Sequence, residues 1–135
     1  MSKSAIYTVN NTAQNVAVNG TINLGNVNRR FGNCLSLQGT GIQLAEAGYY
    51  DINASITLAP TAAGNVTVTA YKDNMAIPGA TATESASEAN NPINLSISSL
   101  VRKFCPCADG IENITFVLSG TAASVTNIAV VVEKI

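Results

Sequence analysis

The chain of 135 residues has only 11% charged residues, a formal net charge of −1 and no histidine. It lacks the runs of Lys and Arg that bind the phosphates of nucleic acid, so we expect no nucleic acid partner. Its length is typical of one domain, and such a domain can bury a core without metal or disulfide staples.

Apolar and polar residues alternate along most of the chain, which predicts strands, and no segment shows a pattern typical of a helix. The predicted strands, in chain order, are Ala5–Val9, two short runs within Val16–Leu24 joined by the hairpin signal Asn19-Gly20, a pair within Cys34–Leu44, Tyr49–Leu58, Gly64–Asn74, Ile93–Val101, Asn113–Gly120 and Ser124–Ile135. The stretch Ala80–Asn91 predicts an exposed loop or a weak edge strand. This pattern indicates an all-β fold, a two-sheet antiparallel sandwich or jelly roll.

The stretch "GYYDINASITL" from Gly48 to Leu58 shows the alternation most clearly. Its apolar series predicts core positions: Tyr50, Ile52, Ala54, Ile56 and Leu58. The other series predicts outward positions: Tyr49, Asp51, Asn53, Ser55 and Thr57. Two adjacent tyrosines would then point to opposite faces of the sheet.

The last strand is apolar on both faces, which is unusual for a sandwich with a solvated outer face. Ile128, Val130 and Val132 fit the core, yet the intervening Ala129 and Val131 are also apolar. A strand that is apolar on both faces is usually covered on both faces, and another subunit is the natural cover. The predicted trimer interface comprises Tyr49, Asp51, Thr115, Val117, Ala129 and Val131.

The three cysteines are an odd number, which argues against a closed disulfide framework. We expect Cys34, Cys105 and Cys107 to behave as small, partly buried apolar residues. In a weaker alternative, three copies of the Cys105-Pro106-Cys107 motif meet on a threefold axis and bind a metal. The segment Asp109–Asn113 offers oxygen atoms but falls far short of a calcium loop, so no cofactor is predicted.

The chain resembles the C1q/TNF-like jelly-roll family in three stretches, "GYYDINASITL", "VTVTAYKDNMAIPGA" and "ITFVLSG". Gly48, Tyr50 and Ile52 match the motif that opens a central strand of that family. Lys72-Asp73-Asn74 matches the following turn loosely, since the usual glycine is absent. The resemblance covers residues 34–135 and is greatest to compact bacterial and phage versions. It implies a tight trimer.

Residues 1–30 are expected to be either an anchoring arm or the first strands, and residues 31–135 the jelly-roll domain; one single domain over residues 1–135 is favoured. No signal peptide or membrane span is recognisable, so we expect neither secretion nor a membrane partner.

An enzyme is not expected, because histidine is absent and the acidic residues are scattered. The sequence instead predicts a trimeric structural component of a phage virion: a capsid decoration, head fibre or appendage tip that is assembled in the bacterial host cytoplasm beside other virion proteins. The alternative is a module on a bacterial cell or spore surface that recognises a glycan or a host surface through Tyr71, Asn74 and Ala80–Asn91. The lack of tryptophan counts against it.

Overall fold

The computed structural model describes residues 3–103 and 112–135. Strands form almost all of its regular structure, as the alternating sequence predicts. They are β1 (Ser4–Asn10), β2 (Gln14–Val16), β3 (Asn26–Phe31), β4 (Leu35–Gln38), β5 (Gly41–Leu44), β6 (Gly48–Pro60), β7 (Gly64–Lys72), β8 (Met75–Ala86), β9 (Ile93–Lys103), β10 (Glu112–Ser119) and β11 (Ala123–Lys134).

The strands form two antiparallel sheets. Sheet A has the order β3-β1-β11-β6-β9, and β2 pairs with β11 in line with β1. Sheet B has the order β4-β5-β10-β7-β8. Most neighbours in each sheet are distant in sequence, as in a jelly roll. The predicted all-β, two-sheet antiparallel sandwich is therefore confirmed.

The core lies between the sheets and follows the predicted period of two. The inward residues of β6 (Tyr50, Ile52, Ala54, Ile56 and Leu58) are buried, and so are the inward residues of β10 and β11. Burial of each large apolar side chain stabilises the fold by about 1.5–3 kcal/mol. This burial holds the two sheets together and fixes which side chains remain outside.

The first thirty residues contribute β1, β2 and most of β3 to sheet A. β3 was not predicted, because all six of its side chains are exposed and its sequence shows no alternation. It is an edge strand held by backbone pairing with β1.

The predicted hairpin at Asn19-Gly20 is wrong. Gly20 N–H donates to the Ala17 carbonyl at 2.9 Å, so a local turn does form, but its two flanks do not pair with each other. The preceding β2 pairs with β11 in sheet A, while Thr21 forms a bridge with Val117 in sheet B. The turn therefore carries the chain from one sheet to the other.

The β7–β8 turn explains how Lys72-Asp73-Asn74 works without the usual glycine. Asp73 and Asn74 both have positive φ, at 50° and 69°. Positive φ at both central residues suits a tight hairpin, and Asp and Asn tolerate it better than most residues. After the turn the strand runs to Ala86, so the first part of Ala80–Asn91 is an edge strand.

Candidate interaction surfaces

The predicted interface residues divide between the two outer faces of the sandwich. Tyr49, Asp51, Ala129 and Val131 share the outer face of sheet A, where β6 and β11 are paired with Asp51 opposite Glu133 and Ala129 opposite Ser55. Val131 is 36% exposed there, although it lies in a central strand of the sheet.

Thr115 and Val117 lie on the outer face of sheet B, because β10 belongs to that sheet. The structure therefore does not bring them together with the other four residues. Alternation in a sequence distinguishes inward from outward positions but does not say which sheet a strand joins.

Further apolar residues, which the interface predicted from the sequence did not include, lie beside Val131 on sheet A. Tyr7 is paired directly opposite Val131, and Val9 opposite Ala129. A shallow depression of about 210 Å³ lies beside them, lined by Ala5, Ile6, Tyr7, Phe31 and Val131 and by two arginines, Arg29 and Arg30. We call Tyr7, Val9, Phe31, Ala129 and Val131 the apolar face. The signal was present in "AIYTV", where the residues alternating with Ile6 are also apolar.

A second apolar surface lies where β8 of sheet B meets β9 of sheet A. Met75, Ile77, Pro78 and Leu100 line a groove of about 360 Å³, which we call the edge groove. Met75 is 74% exposed and Leu100 is 54% exposed. Lys72 Nζ also lines the groove, donates to the Arg102 carbonyl at 2.9 Å and lies 3.3 Å from Glu112 Oε1. The edge groove is therefore apolar with a charged margin.

A polar cluster closes one end of the core around Tyr50. Its hydroxyl donates to the Glu46 carbonyl at 2.6 Å, and Lys134 Nζ lies 3.5 Å from Glu46 Oε1. Burial, with a smaller contribution from Cys34, raises the pKa of Tyr50 to about 12. A phenol that stays protonated at neutral pH supports the fold and is unsuited to act as a base.

Gly48 is required beside this cluster for two reasons. Its φ is +145°, which side chains rarely allow, and a Cβ there would lie 3.0 Å from Lys134 Cε. The glycine that opens "GYYDINASITL" thus lets the end of the buried Lys134 side chain pack against the backbone at the start of β6.

No group of three or more His, Cys, Asp or Glu side chains that could hold a metal ion occurs among the described residues. Cys34 is buried and free. The predicted Cys105-Pro106-Cys107 cluster and most of the Asp109–Asn113 segment lie outside the described residues. Within the same part of the chain, no helix is long and apolar enough to cross a membrane.

No protein-family model matches the sequence, and no curated protein matches it. Solved structures do match its fold. Murine APRIL superposes with a TM-score of 0.70 at 11% identity, covering 99% of this chain and 100% of that one. The PRD1 vertex protein P5 gives a TM-score of 0.65 at 15% identity, covering 97% and 95%. The globular domain of zebrafish complement 1qA gives 0.64 at 6% identity, covering 99% and 97%.

These matches extend over almost the whole chain at identities that carry information on the fold alone. They include both a C1q domain and a TNF, Eiger from S. frugiperda. The chain therefore has the C1q/TNF-like jelly-roll fold.

Proposed function

We propose that the protein is a homotrimeric, non-enzymatic structural component of a phage virion, such as a capsid decoration, head fibre or appendage tip. The observation that carries the proposal is a pair of unlike apolar surfaces on one subunit, the apolar face and the edge groove. C1q/TNF-like domains typically trimerise, which agrees with the use of both surfaces for assembly.

A closed ring of three identical subunits needs two different, complementary patches on each subunit. The apolar face lies on β3, β1 and β11, towards one side of sheet A, whereas the edge groove lies at the opposite edge beside β9. The apolar face of one subunit can therefore pack on the edge groove of the next, around the ring. Removing Val131, Phe31, Met75 and Leu100 from water would stabilise the contact.

A structural role agrees with the chemistry of the chain. Histidine is absent from the sequence, and burial raises the pKa of Tyr50 to about 12, so its phenol stays protonated. The C1q/TNF-like fold is typically non-enzymatic.

Support for a virion comes from the vertex protein of PRD1, whose structure covers nearly the whole chain. Low charge and neutral polar strand faces suit a subunit that is packed among other virion proteins after assembly in the bacterial host cytoplasm. A bacterial cell- or spore-surface module is the alternative location. Mass spectrometry of purified phage particles tests the proposal. The protein should be recovered in the particles, and recovery only in bacterial cell-surface fractions would contradict the proposal.

The assembly itself is tested with two single variants, Val131→Asp in the apolar face and Met75→Asp in the edge groove. Each should give monomers, because an unpaired carboxylate buried in an interface costs about 3–5 kcal/mol. Ser85→Asp, on exposed β8 outside both surfaces, is the matched control and should remain trimeric.

Mixing the two variants distinguishes a head-to-tail contact from a symmetric one. The Val131→Asp subunit keeps an intact edge groove and the Met75→Asp subunit keeps an intact apolar face, so one intact contact can form between them. Native mass spectrometry should then show heterodimers in the mixture and none in either variant alone. Monomers only in the mixture, with both variants folded, would contradict the proposed pairing.

A further inference from the structure

The outer face of sheet B carries a polar cleft, on the side of the sandwich opposite to the apolar face. Two contiguous depressions of about 320 and 530 Å³ share the side chains of Thr40, Asn74 and Thr115. We call them together the outer cleft. Its remaining lining residues include Gln38, Gly41, Gln43, Asn113, Tyr71 and Thr21. Each depression lies within the range of volumes that hold small ligands.

Gly41 makes room for the cleft at its base. It is buried in β5, where a Cβ would lie 3.3 Å from Thr115 Cγ2 and 3.4 Å from Asn113 Cβ. Any side chain at position 41 would therefore extend into the space between β5 and β10.

The rims of the cleft are held in place by backbone hydrogen bonds. The Asp73 N–H donates to the Asn113 carbonyl at 3.0 Å, and the Asn113 N–H donates back to Asp73 Oδ1 at 2.9 Å. On the other side, Asn19 N–H donates to the Leu118 carbonyl at 2.7 Å. A preformed cleft loses little conformational entropy when it binds a ligand.

Apart from the Asp73 carboxylate, the polar side chains that line the cleft are uncharged. The side chains of Gln38, Thr40, Gln43, Asn74 and Thr115 make no hydrogen bond to any described residue. They offer amide and hydroxyl groups that donate and accept. The carboxylate of Asp73 already accepts the Asn113 N–H. Tyr71, directly opposite Thr115 in the sheet, adds a partly exposed aromatic ring.

We propose that the outer cleft is a binding site for a neutral saccharide. Sugar hydroxyls donate and accept hydrogen bonds, as the amide and hydroxyl groups of the cleft do, and the apolar C–H face of a sugar ring can pack on Tyr71. Phosphate or nucleic acid would need the Lys and Arg contacts that this lining lacks. An apolar ligand would leave the polar groups of the lining unpaired.

The cleft and the apolar face are on opposite sheets, so contacts through the apolar face leave the cleft open. The edge groove begins beside the cleft, because Met75 follows Asn74 and Ala76, which lines the groove, is paired with Tyr71. The location of the cleft differs from the surface predicted from sequence, since Tyr71 and Asn74 line it whereas Ala80–Asn91 does not.

The test is saturation-transfer NMR on the purified protein with maltotriose, cellotriose and chitotriose, and with 3′-sialyllactose as the charged comparison. At least one neutral trisaccharide should bind with a Kd near or below about 1 mM. Its C–H protons should show the strongest transfer on the ring that lies against Tyr71. No binding of any neutral probe at about 10 mM, or a preference for the sialylated probe, would overturn the proposal.

Three variants locate the binding. Tyr71→Ala removes the ring, Gly41→Val fills the base, and Thr115→Val removes a hydroxyl with almost no change of shape. Each should weaken binding about tenfold or more, while Ser85→Ala on the same outer face should not change it. Tyr71→Ala and Thr115→Val keep the test valid if Gly41→Val fails to fold. Unchanged binding in both would overturn the site.

The mass of every sample is measured in parallel, so the outcome for the site is separate from the outcome for assembly. Cleft variants should keep the mass of the parent protein. Binding by monomers would support the cleft and contradict the trimer, and trimers that bind no neutral probe would do the reverse.

Discussion

Tyr49 and Tyr50 are adjacent in β6 and point to opposite sides of sheet A. Tyr50 is fully buried and donates a hydrogen bond to the Glu46 carbonyl, whereas Tyr49 is 48% exposed, with the Arg102 guanidinium carbon 5.6 Å from the centre of its ring. Successive strand residues must alternate between faces, so one tyrosine belongs to the core and the other to the outer surface.

Truncation of each tyrosine should therefore have a different effect. Tyr50→Ala should lower the free energy of unfolding by about 3–5 kcal/mol, as for other large aromatic truncations in cores. Tyr49 is paired with Arg102, which lines the edge groove, so Tyr49→Ala should weaken assembly and make melting depend on protein concentration. Melting curves over a hundredfold dilution series measure both effects. Parental melting of Tyr49→Ala at every concentration would place Tyr49 outside the interface.

Alkaline pH should destabilise the fold through Tyr50. Its pKa is about 12 in the folded protein, against an ordinary value of 10.0. Between these values the unfolded chain releases the phenolic proton and the folded chain keeps it. The unfolded state then binds fewer protons, so the free energy of unfolding falls as pH rises through this window and is unaffected by Tyr50 below it.

Denaturant titrations between about pH 9 and 12 measure this fall, with Tyr50→Phe as the matched variant. Tyr50→Phe lacks the ionisable hydroxyl and should show a smaller loss of stability over the same range. An identical alkaline loss in parent and variant would assign the effect to other groups.

Ile52→Ala should destabilise the subunit core. Ile52 is fully buried in β6, and deleting such a side chain costs about 2–5 kcal/mol, partly for the cavity that remains. Ser85→Ala on exposed β8 should stay within about 0.5 kcal/mol of the parent. Urea unfolding of both variants checks this, and a loss under about 1 kcal/mol for Ile52→Ala would be inconsistent with a core position.

The sequence was sufficient to predict both faces of β6, β10 and β11, because apolar and polar residues alternate with a period of two along a half-buried strand. β3 could not be found in this way, since no face of it is buried. The turn at Asn19-Gly20 carries a strong hairpin signal, but its flanks pair with different sheets. Pairing between distant segments decides such cases.

The surfaces were harder to predict than the strands for the same reason. The apolar face depends on Tyr7 lying opposite Val131, and the two are far apart in sequence. The outer cleft depends on Gly41, Tyr71 and Thr115 meeting across β5, β7 and β10. Alternation marks each of these residues as outward, yet only the strand order brings them together.

The mass of the protein in solution tests the central claim most directly. Light scattering after size-exclusion chromatography, at micromolar concentration, should give three times the 13.9 kDa of one chain. A mass of one chain at that concentration would contradict the trimer and, with it, the pairing of the apolar face with the edge groove.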